Sequence, residues 1–363
     1  MREAVLDRDE SYAIDTLRLF DVIGDSAGLF DRARAAAERV DLVWPAEEIH
    51  NVAVAGMGGS GIAGDLVLGA WRERLRYPAA VLRDYYLPGW VGENTLVVLS
   101  SYSGETEETL TVASQATERN ALCVAITSGG KLGTFYRDLG VPVIDLPPGL
   151  QPRAALMHLL VPLVVVLGRF GVISPPDAEL DDARQVVAAS VDELAPAVPT
   201  DQNLAKQIAL GLTDSVPLIW GAEATAAVAQ RWKGQINENA ELPAFWSVLP
   251  EMNHNEICAF DGKGALGPLA QVVFLRDPHH HRQVIRRFDL VRDLVAPFVA
   301  GVIELAADGA TPLGRMIDLV MLGDYVSLYL AIARGVDPGP VEMITRLKTR
   351  LAETGYDRSP NPA

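Results

Sequence analysis

The sequence predicts an α/β protein with two units, each built on parallel strands that are joined by helices. Apolar, β-rich runs alternate with helical segments through the first half of the chain, a similar series follows in the second half, and a proline-rich stretch separates the two. Strands separated by helical segments favour parallel pairing, because a crossover between parallel strands needs a connection of that length. A length of 363 residues and a hydrophobic share of 49% fit two folded domains of ordinary size.

The first unit begins with helices and continues as an alternation of strands and helices. Helical spacing of apolar residues covers residues 11–42. Strands are then predicted over 51–55, 79–83, 95–100, 122–127 and 141–146, and helices over 62–71, 107–119 and near Lys131. We therefore assign residues 1–175 to the N-terminal helices and the first domain.

The second unit follows a boundary at residues 172–177, which read VISPPD. Helices are predicted over 178–194, 224–237, 280–296 and 313–334, and strands over 216–220 and 270–275. Residues 176–363 are therefore assigned to a second domain that ends in a C-terminal helix.

The charge balance argues against polyanionic partners. Lys and Arg number 31 against 47 Asp and Glu, which gives a formal net charge of −16. Such a field repels nucleic acids and acidic membranes over most of the surface, so neither is expected as a partner. Small anions can still bind where the local potential is positive.

Targeting and redox features favour a cytoplasmic protein. The first residues, MREAVLD, carry acids where a secretory signal has a basic and then an apolar stretch. The most apolar segment, 154–168, is shorter than the roughly 20 residues that a membrane span needs, so we expect a buried helix there. Only Cys123 and Cys258 occur, which suits a reducing compartment and gives no disulfide framework.

The strongest local motif is a glycine-rich loop, AGMGGSGI at 55–62, that follows a strand and opens a helix. Its glycines let the backbone approach a ligand, and a helix N-terminus offers unpaired N–H groups to an anion. Gly56, Gly58 and Gly61 also match the dinucleotide-binding pattern, with Asp84 at a suitable distance. A dinucleotide site, another anion site and a structural tight turn all remain open from this motif.

A second loop of the same kind, SYSGET at 101–106, also follows a strand and opens a helix. Ser101, Ser103 and Thr106 offer three hydroxyls that suit phosphate oxygens. The structural alternative is an ordinary helix cap in which Ser103 or Thr106 satisfies the first turn. Because loops at the carboxyl ends of neighbouring parallel strands converge on one crevice, the pair of loops favours an anion site.

Polar residues in the second half supply candidate acid–base groups. Glu238 lies at the end of a helix, where the dipole disfavours a carboxylate, so it is either a base or a surface residue. His254, between Asn253 and Asn255, is a proton shuttle or a solvated turn residue. Arg153, just before the buried helix, is a cap neighbour or an anion clamp.

No metal is expected. Three consecutive histidines at 279–281 cannot all face one ion from regular structure, and no cysteine or carboxylate cluster at zinc spacing accompanies them.

Five ordered motifs resemble those of the bifunctional phosphoglucose/phosphomannose isomerases, which belong to the sugar isomerase (SIS) superfamily. They are GMGGSG at 56–61, SYSGET at 101–106, PRAA at 152–155, NEN at 237–239 and NHNE at 253–256. The match runs from about residue 50 to RLK at 346–348, and so covers most of the chain.

The resemblance implies two SIS domains, each a five-stranded parallel sheet between helices in a doubly wound, three-layer arrangement. It also implies an aldose–ketose isomerase that interconverts glucose 6-phosphate, and also mannose 6-phosphate, with fructose 6-phosphate through a cis-enediol. No cofactor and no metal are expected. The partners implied are a phosphosugar and a second copy of the chain, in a homodimer whose active sites are shared.

The resemblance also assigns roles to residues. Glu238 would be the base, Arg153 the cation beside the enediolate, and His254 with Lys348 the pair that opens the sugar ring. The histidine would reach the site from the neighbouring subunit. The sugar phosphate would be held by Gly59, Ser60, Ser101, Ser103 and Thr106.

The chain departs from the family pattern in two places. Residues 337–341 read DPGPV where the family often has DPTPV, so Gly339 lacks any contact that the threonine hydroxyl makes. Extra length occurs at the N-terminus and around 304–311. Two alternatives stay open at this point: a non-catalytic, phosphosugar-binding regulatory SIS protein, and a nicotinamide-dependent oxidoreductase that uses the glycine loop and Asp84.

Overall fold

The first half of the chain folds around a five-stranded parallel sheet. A computed structural model describes residues 3–42 and 49–354. The strands are β1 (Asn51–Ala55), β2 (Ala79–Leu82), β3 (Thr95–Ser100), β4 (Leu122–Thr127) and β5 (Val143–Asp145). They pair in the order β2-β1-β3-β4-β5, and every pairing is parallel. The five strands predicted from the sequence are confirmed.

Helices cover both faces of this sheet. They are α4 (Gly58–Ala70), α5 (Glu107–Glu118), α6 (Gly130–Asp138) and α7 (Leu156–Arg169). Val52 and Val98 pack into the core that contains α4 and α7, whereas Ala53 and Val97 pack into a second core with α5 and α6. Neighbouring side chains of a strand point to opposite faces, so both faces of the sheet are buried and the three-layer arrangement is confirmed.

The N-terminal helices are shorter than predicted. They are α1 (Glu3–Leu6), α2 (Leu19–Gly24) and α3 (Ser26–Arg39), with a 3-10 helix at Asp9–Ile14. The helical spacing over 11–42 is interrupted around Asp15, whose carboxylate accepts a hydrogen bond from the N–H of Phe20 at 3.0 Å, and at Arg18, whose φ is 53°. A left-handed residue cannot continue a helix, so a new helix begins after it.

The second half contains a second parallel sheet. Its strands are β6 (Val216–Ala222), β7 (Phe245–Leu249), β8 (Ala270–Arg276) and β9 (Gly301–Ala306), in the order β7-β6-β8-β9. In the described residues this sheet has four strands, so the expectation of five was wrong. The sequence analysis missed β7 and β9 because both are edge strands that are only partly buried and lack a continuous apolar run. The presumed extra length near Glu304 is in part strand β9.

The remaining helices pack around this sheet and against the first domain. They are α8 (Asp177–Leu194), α9 (Leu204–Leu212), α10 (Thr225–Asn239), α11 (Arg282–Val295), α12 (Pro312–Arg334) and α13 (Glu342–Thr354). By length and composition α12 could cross a membrane, but 89% of its apolar stretch is buried inside the protein, as in a core helix. The predicted buried helix at 154–168 is confirmed as α7. The division at residue 175 falls between α7 and α8 and stays a prediction.

Helices α10 and α12 approach each other closely at one glycine. The indole N–H of buried Trp232 on α10 donates to the carbonyl of Leu319 at 2.7 Å. A Cβ on Gly323 of α12 would lie 2.1 Å from the indole nitrogen. Only a residue without a side chain lets these two helices meet this closely.

We expect Gly323→Ala to lower the free energy of unfolding by about 1–3 kcal/mol, because the added methyl overlaps the Trp232 ring and forces the helices apart. Urea denaturation measures the change. Gly234→Ala on α10 is the matched control, since its Cβ would meet nothing within 4 Å, and helix propensity predicts no loss or a gain of up to about 1 kcal/mol. Equal stability of the two variants would contradict the packing argument.

Candidate functional site

The glycine loop after β1 is packed against the segment that carries Arg153. A Cβ on Gly59 would lie 2.6 Å from the carbonyl oxygen of Pro152, so the close approach requires glycine. Ser60 is buried, and its hydroxyl accepts a hydrogen bond from the N–H of Tyr102 at 3.3 Å. The loop therefore contacts both the second loop and the arginine segment.

The loop after β3 presents its hydroxyls around the start of α5. The hydroxyl of buried Ser101 donates to that of Thr106 at 3.0 Å, and the hydroxyl of Ser103 accepts from the N–H of Glu105. Thr106 is the residue before α5, but its side chain makes no capping hydrogen bond to the first turn. Gly104 has φ 67°, and a Cβ there would lie 2.0 Å from the carbonyl of Gly129. The alternative in which the Thr106 side chain caps α5 is wrong, because that side chain makes no hydrogen bond to the first turn.

The two loops meet at the switch point of the first sheet. Strands β1 and β3 are neighbours, with β2 on one side and β4 on the other, and the chain reverses its direction of winding between them. In open parallel sheets, ligands bind outside the carboxyl ends of the strands at this point. Asp84, the acid of the dinucleotide alternative, lies exposed beyond β2 and accepts a hydrogen bond from the N–H of Tyr85.

The guanidinium of Arg153 is buried and held by three acceptors. Its Nε donates to the side-chain oxygen of Asn239 at 2.7 Å, and Nη2 donates to the carbonyls of Pro338 and Gly339, each at 2.6 Å. In the described part of the chain Nη1 donates to no residue. Burial lowers the pKa of Arg153, while the negative charge of Glu238 raises it; an arginine stays charged in either case.

A second buried arginine supports the first. Arg231 on α10 forms a bidentate pair with Asp324 on α12, at 2.9 and 2.6 Å, and also donates to the carbonyl of Arg153 at 3.0 Å. The amide of Asn239 donates to the hydroxyl of Ser327 at 2.9 Å. The network connects α10, α12 and the arginine segment, so the orientation of Arg153 depends on both domains.

Glu238 lies at the end of α10, partly buried, next to Asn239. Burial raises the pKa of its carboxyl above the usual glutamate range. Four positive charges act in the opposite direction, in decreasing order from Arg153, Arg231, Lys233 and Lys348. A carboxylate with a raised pKa accepts a proton more readily than an exposed one, and the nearby guanidinium can stabilise negative charge that develops beside it.

Lys348 and His254 are both exposed side chains. Lys348 is exposed on α13, close enough for its charge to act on Glu238. His254 is exposed after β7 and makes no hydrogen bond or ion pair within residues 3–42 and 49–354. In the described residues, contacts and charges connect the two loops, Arg153, Glu238 and Lys348, and no hydrogen bond or ion pair connects His254 to them.

The sequence analysis missed the residues that hold Arg153 in place. Arg231, Gln235 and Asn239 recur at every fourth position, which places them on one face of α10. Asp324 and Ser327 are polar residues in the otherwise apolar α12. Polar residues on one face of α10, together with a polar pair in the otherwise apolar α12, could have indicated a buried hydrogen-bond network. This pattern would not have shown that the network holds Arg153.

Two parallel sheets, with paired hydroxyl loops at the switch point of the first, define a protein of the double-SIS class. The SIS domain model matches residues 47–132. The model described as the bacterial phospho-glucose isomerase C-terminal SIS domain matches residues 201–351. A solved glucose-6-phosphate isomerase like protein from Thermus thermophilus is similar with a TM-score of 0.62 over 92% of this chain and 97% of that one; at 20% identity it supports the fold alone.

Curated relatives identify the family. A bifunctional phosphoglucose/phosphomannose isomerase from Caldicellulosiruptor bescii is 39% identical over 92% of this chain and 99% of its own length. One from Aquifex aeolicus is 35% identical over 82% of this chain and 88% of its own. The chain belongs to the bifunctional phosphoglucose/phosphomannose isomerase family and is an isomerase. Membership of this isomerase family rules out the nicotinamide-dependent oxidoreductase that the glycine loop and Asp84 had left open.

We expect Asp324→Ala to lower the free energy of unfolding by about 3–5 kcal/mol, because it leaves the buried charge of Arg231 without a partner. Asp31→Ala is the matched control. Asp31 forms a bidentate pair with Arg184 at 2.8 and 2.9 Å, but at the surface, where such a pair contributes about 0–1 kcal/mol. Similar losses in the two variants, measured by urea denaturation, would contradict the burial argument.

Proposed function

We propose that the chain interconverts glucose 6-phosphate and fructose 6-phosphate, and mannose 6-phosphate and fructose 6-phosphate, through a cis-enediol. The observation that carries the proposal is the placement of a half-buried carboxylate with a raised pKa, Glu238, beside the immobilised guanidinium of Arg153. Family membership supports the same reaction, because the named relatives are bifunctional phosphoglucose/phosphomannose isomerases.

In this proposal the sugar phosphate binds between the two loops. Ser60, Ser101, Ser103 and Thr106 offer hydroxyls, and the N-termini of α4 and α5 offer N–H groups and the positive end of a helix dipole. Gly59 keeps the first loop close to the arginine segment. Binding at this point fixes the sugar chain so that its first carbons extend toward Arg153 and Glu238.

The chemical step is a proton transfer between two carbons. After the ring opens, Glu238 removes the proton from C2 and returns it to C1, while a hydroxyl proton moves from O2 to O1. Atoms and charge balance without an oxidant, so no cofactor or metal is part of the proposal. Such general acid–base catalysis contributes about 10²–10⁴-fold. The free Nη1 of Arg153 is the donor that can stabilise the negative charge on the enediolate oxygens.

We propose that ring opening requires a second copy of the chain. His254 is exposed and makes no hydrogen bond or ion pair within the described residues, so we propose a homodimer in which His254 of the partner subunit joins Lys348 at the site. Helix α13 carries an exposed apolar row that suits such an interface, formed by Met343, Ile344, Leu347 and Leu351. We further propose a cytoplasmic location, in line with the two free cysteines.

A coupled assay of glucose 6-phosphate formation, with fructose 6-phosphate and mannose 6-phosphate as separate substrates, tests the function. Product from both supports the proposal, and product from fructose 6-phosphate alone would remove the mannose reaction. We expect Glu238→Gln to lose at least about 10²-fold in kcat, and Glu241→Gln, an exposed control three residues away, to keep it. Saturable phosphosugar binding without any turnover would instead identify the regulatory alternative.

The phosphate site has its own test. We expect Ser101→Ala combined with Ser103→Ala to raise KM for fructose 6-phosphate about tenfold or more, because hydrogen bonds to a charged group contribute about 1.5–3 kcal/mol. Ser114→Ala, on the exposed face of α5, is the control, since its hydroxyl contacts only Glu118. An unchanged KM in the double variant would remove this loop from the site.

A further inference from the structure

The clamp on Arg153 depends on a short connecting segment. The carbonyls of Pro338 and Gly339, which accept both N–H groups of Nη2, lie between the end of α12 and the start of α13. In the described part of the chain one other acceptor, the side-chain oxygen of Asn239, holds the guanidinium. Since a single hydrogen bond does not fix the orientation of a planar group, the direction in which Nη1 points depends on where these two carbonyls lie.

Asp337 holds this segment in its shape. One carboxylate oxygen accepts a hydrogen bond from the N–H of Gly339 at 2.9 Å, which closes a local turn. The same carboxylate accepts two further bonds from Thr16, at 3.3 Å from its N–H and at 2.6 Å from its hydroxyl. Residues that are 321 positions apart in sequence are thus bonded directly beside the arginine clamp.

The neighbours of Thr16 contact the same region. A Cβ on Gly339 would lie 2.7 Å from Cγ of Leu17, so the leucine side chain covers this glycine. Asp15 is buried, and its negative charge acts on Arg153. Three consecutive residues of the N-terminal segment therefore contact or electrostatically affect Arg153 or the turn that holds it.

We propose that Asp337, fixed by Thr16, is a positioning residue for Arg153, so that the N-terminal segment sets the direction of the guanidinium toward the substrate. The inference rests on the proposed role of Arg153 beside the enediolate. It gives the N-terminal residues around Thr16 a function in the reaction that acts through Arg153.

The expected signature is a loss of kcat with little change of KM. Among the described residues no hydrogen bond joins Asp337 or Thr16 to the phosphate loops, so we expect ground-state binding to be retained and stabilisation of the transition state to be lost. A misplacement of about 1 Å costs up to about 10²-fold in rate. We expect a loss of about 10- to 100-fold for Asp337→Ala and a smaller loss for Thr16→Val, which keeps the charge of Asp337.

The pH profile separates positioning from mere stability. Arg153 is the first of the four positive charges that lower the pKa of Glu238, ahead of Arg231, Lys233 and Lys348. If the guanidinium of Arg153 turns away from Glu238, its positive charge no longer lowers the pKa of that carboxyl, and the pKa rises further. The acidic limb of the kcat/KM profile should then move to higher pH in Thr16→Val and Asp337→Ala. If Asp337 and Thr16 had a purely structural role, their substitution would change the midpoint of thermal unfolding and leave the acidic limb at its wild-type pH.

The chain contains a matched control for the Thr16 contact. Thr200 donates to Asp7 through its N–H at 3.0 Å and its hydroxyl at 2.9 Å, and so also fixes the N-terminal segment to the body of the protein. Among the described residues it forms no hydrogen bond with Arg153, Asp337 or Gly339. We expect Thr200→Val to keep the kcat and the acidic limb of the wild type. Thr16→Ser retains the hydroxyl that donates to Asp337, and we expect it to keep both as well.

Steady-state kinetics with fructose 6-phosphate, as a function of pH, on these variants and on Arg153→Ala complete the test. If Thr16→Val and Asp337→Ala both keep the wild-type kcat and the wild-type acidic limb of the kcat/KM profile, the inference is overturned. Equal losses of kcat in Thr16→Val and Thr200→Val would also overturn it. They would indicate that catalysis depends only on the attachment of the N-terminal segment to the body of the protein. If Arg153→Ala itself keeps full kcat, the proposed role of Arg153 fails; if only Arg153→Ala loses activity, the positioning inference alone fails. Should Asp337→Ala not fold, the exposed Thr16 variants decide.

Discussion

The buried guanidinium of Arg153 is the constraint around which both halves of the molecule are arranged. Removing a cation from water costs several kcal/mol unless its donors find acceptors in fixed positions. Those acceptors come from α10 and from the turn between α12 and α13, while the arginine itself belongs to the first domain. Because these acceptors lie on segments far from Arg153 in sequence, the buried charge fixes those segments against one another, and among the described residues Nη1 has no acceptor.

The Arg231–Asp324 pair extends this arrangement into the core. Replacing a buried ion pair by apolar residues is often neutral or favourable for stability, so stability alone gives little reason to keep one. Here Arg231 also bonds the carbonyl of Arg153, and Gln235 bonds Asp324 at 3.0 Å. The pair therefore fixes geometry around Arg153 more than it contributes stability, and the close α10–α12 crossing at Gly323 makes its distances possible.

An acidic protein with an anionic substrate needs local positive potential. The formal net charge of −16 acts over the whole surface, but fields are screened over about 8–10 Å at physiological salt. Two helix N-termini lie at the proposed phosphate loops, and the charges of Arg153, Arg231, Lys233 and Lys348 act on Glu238. In the proposed function these groups let a phosphosugar bind where the average field would repel it, and they hold the pKa of Glu238 below the value that burial alone would give.

The sequence by itself determined the α/β class, the five strands of the first sheet, the two hydroxyl loops and the candidate residues Arg153 and Glu238. These features depend on local periodicity and on glycine and hydroxyl patterns, which are properties of neighbouring residues. Edge strands β7 and β9, and with them the four-stranded order of the second sheet, were not predicted because partial burial leaves a weak pattern. The break at Asp15 and Arg18 was not predicted because it depends on a local hydrogen bond and a left-handed backbone. Only the tertiary structure decided how Arg153 is held, by Asn239, by two carbonyls and, through Asp337, by Thr16. Hydrogen bonds between residues 86 to 321 positions apart leave no periodic signal, since backbone carbonyls accept regardless of the side chain they carry.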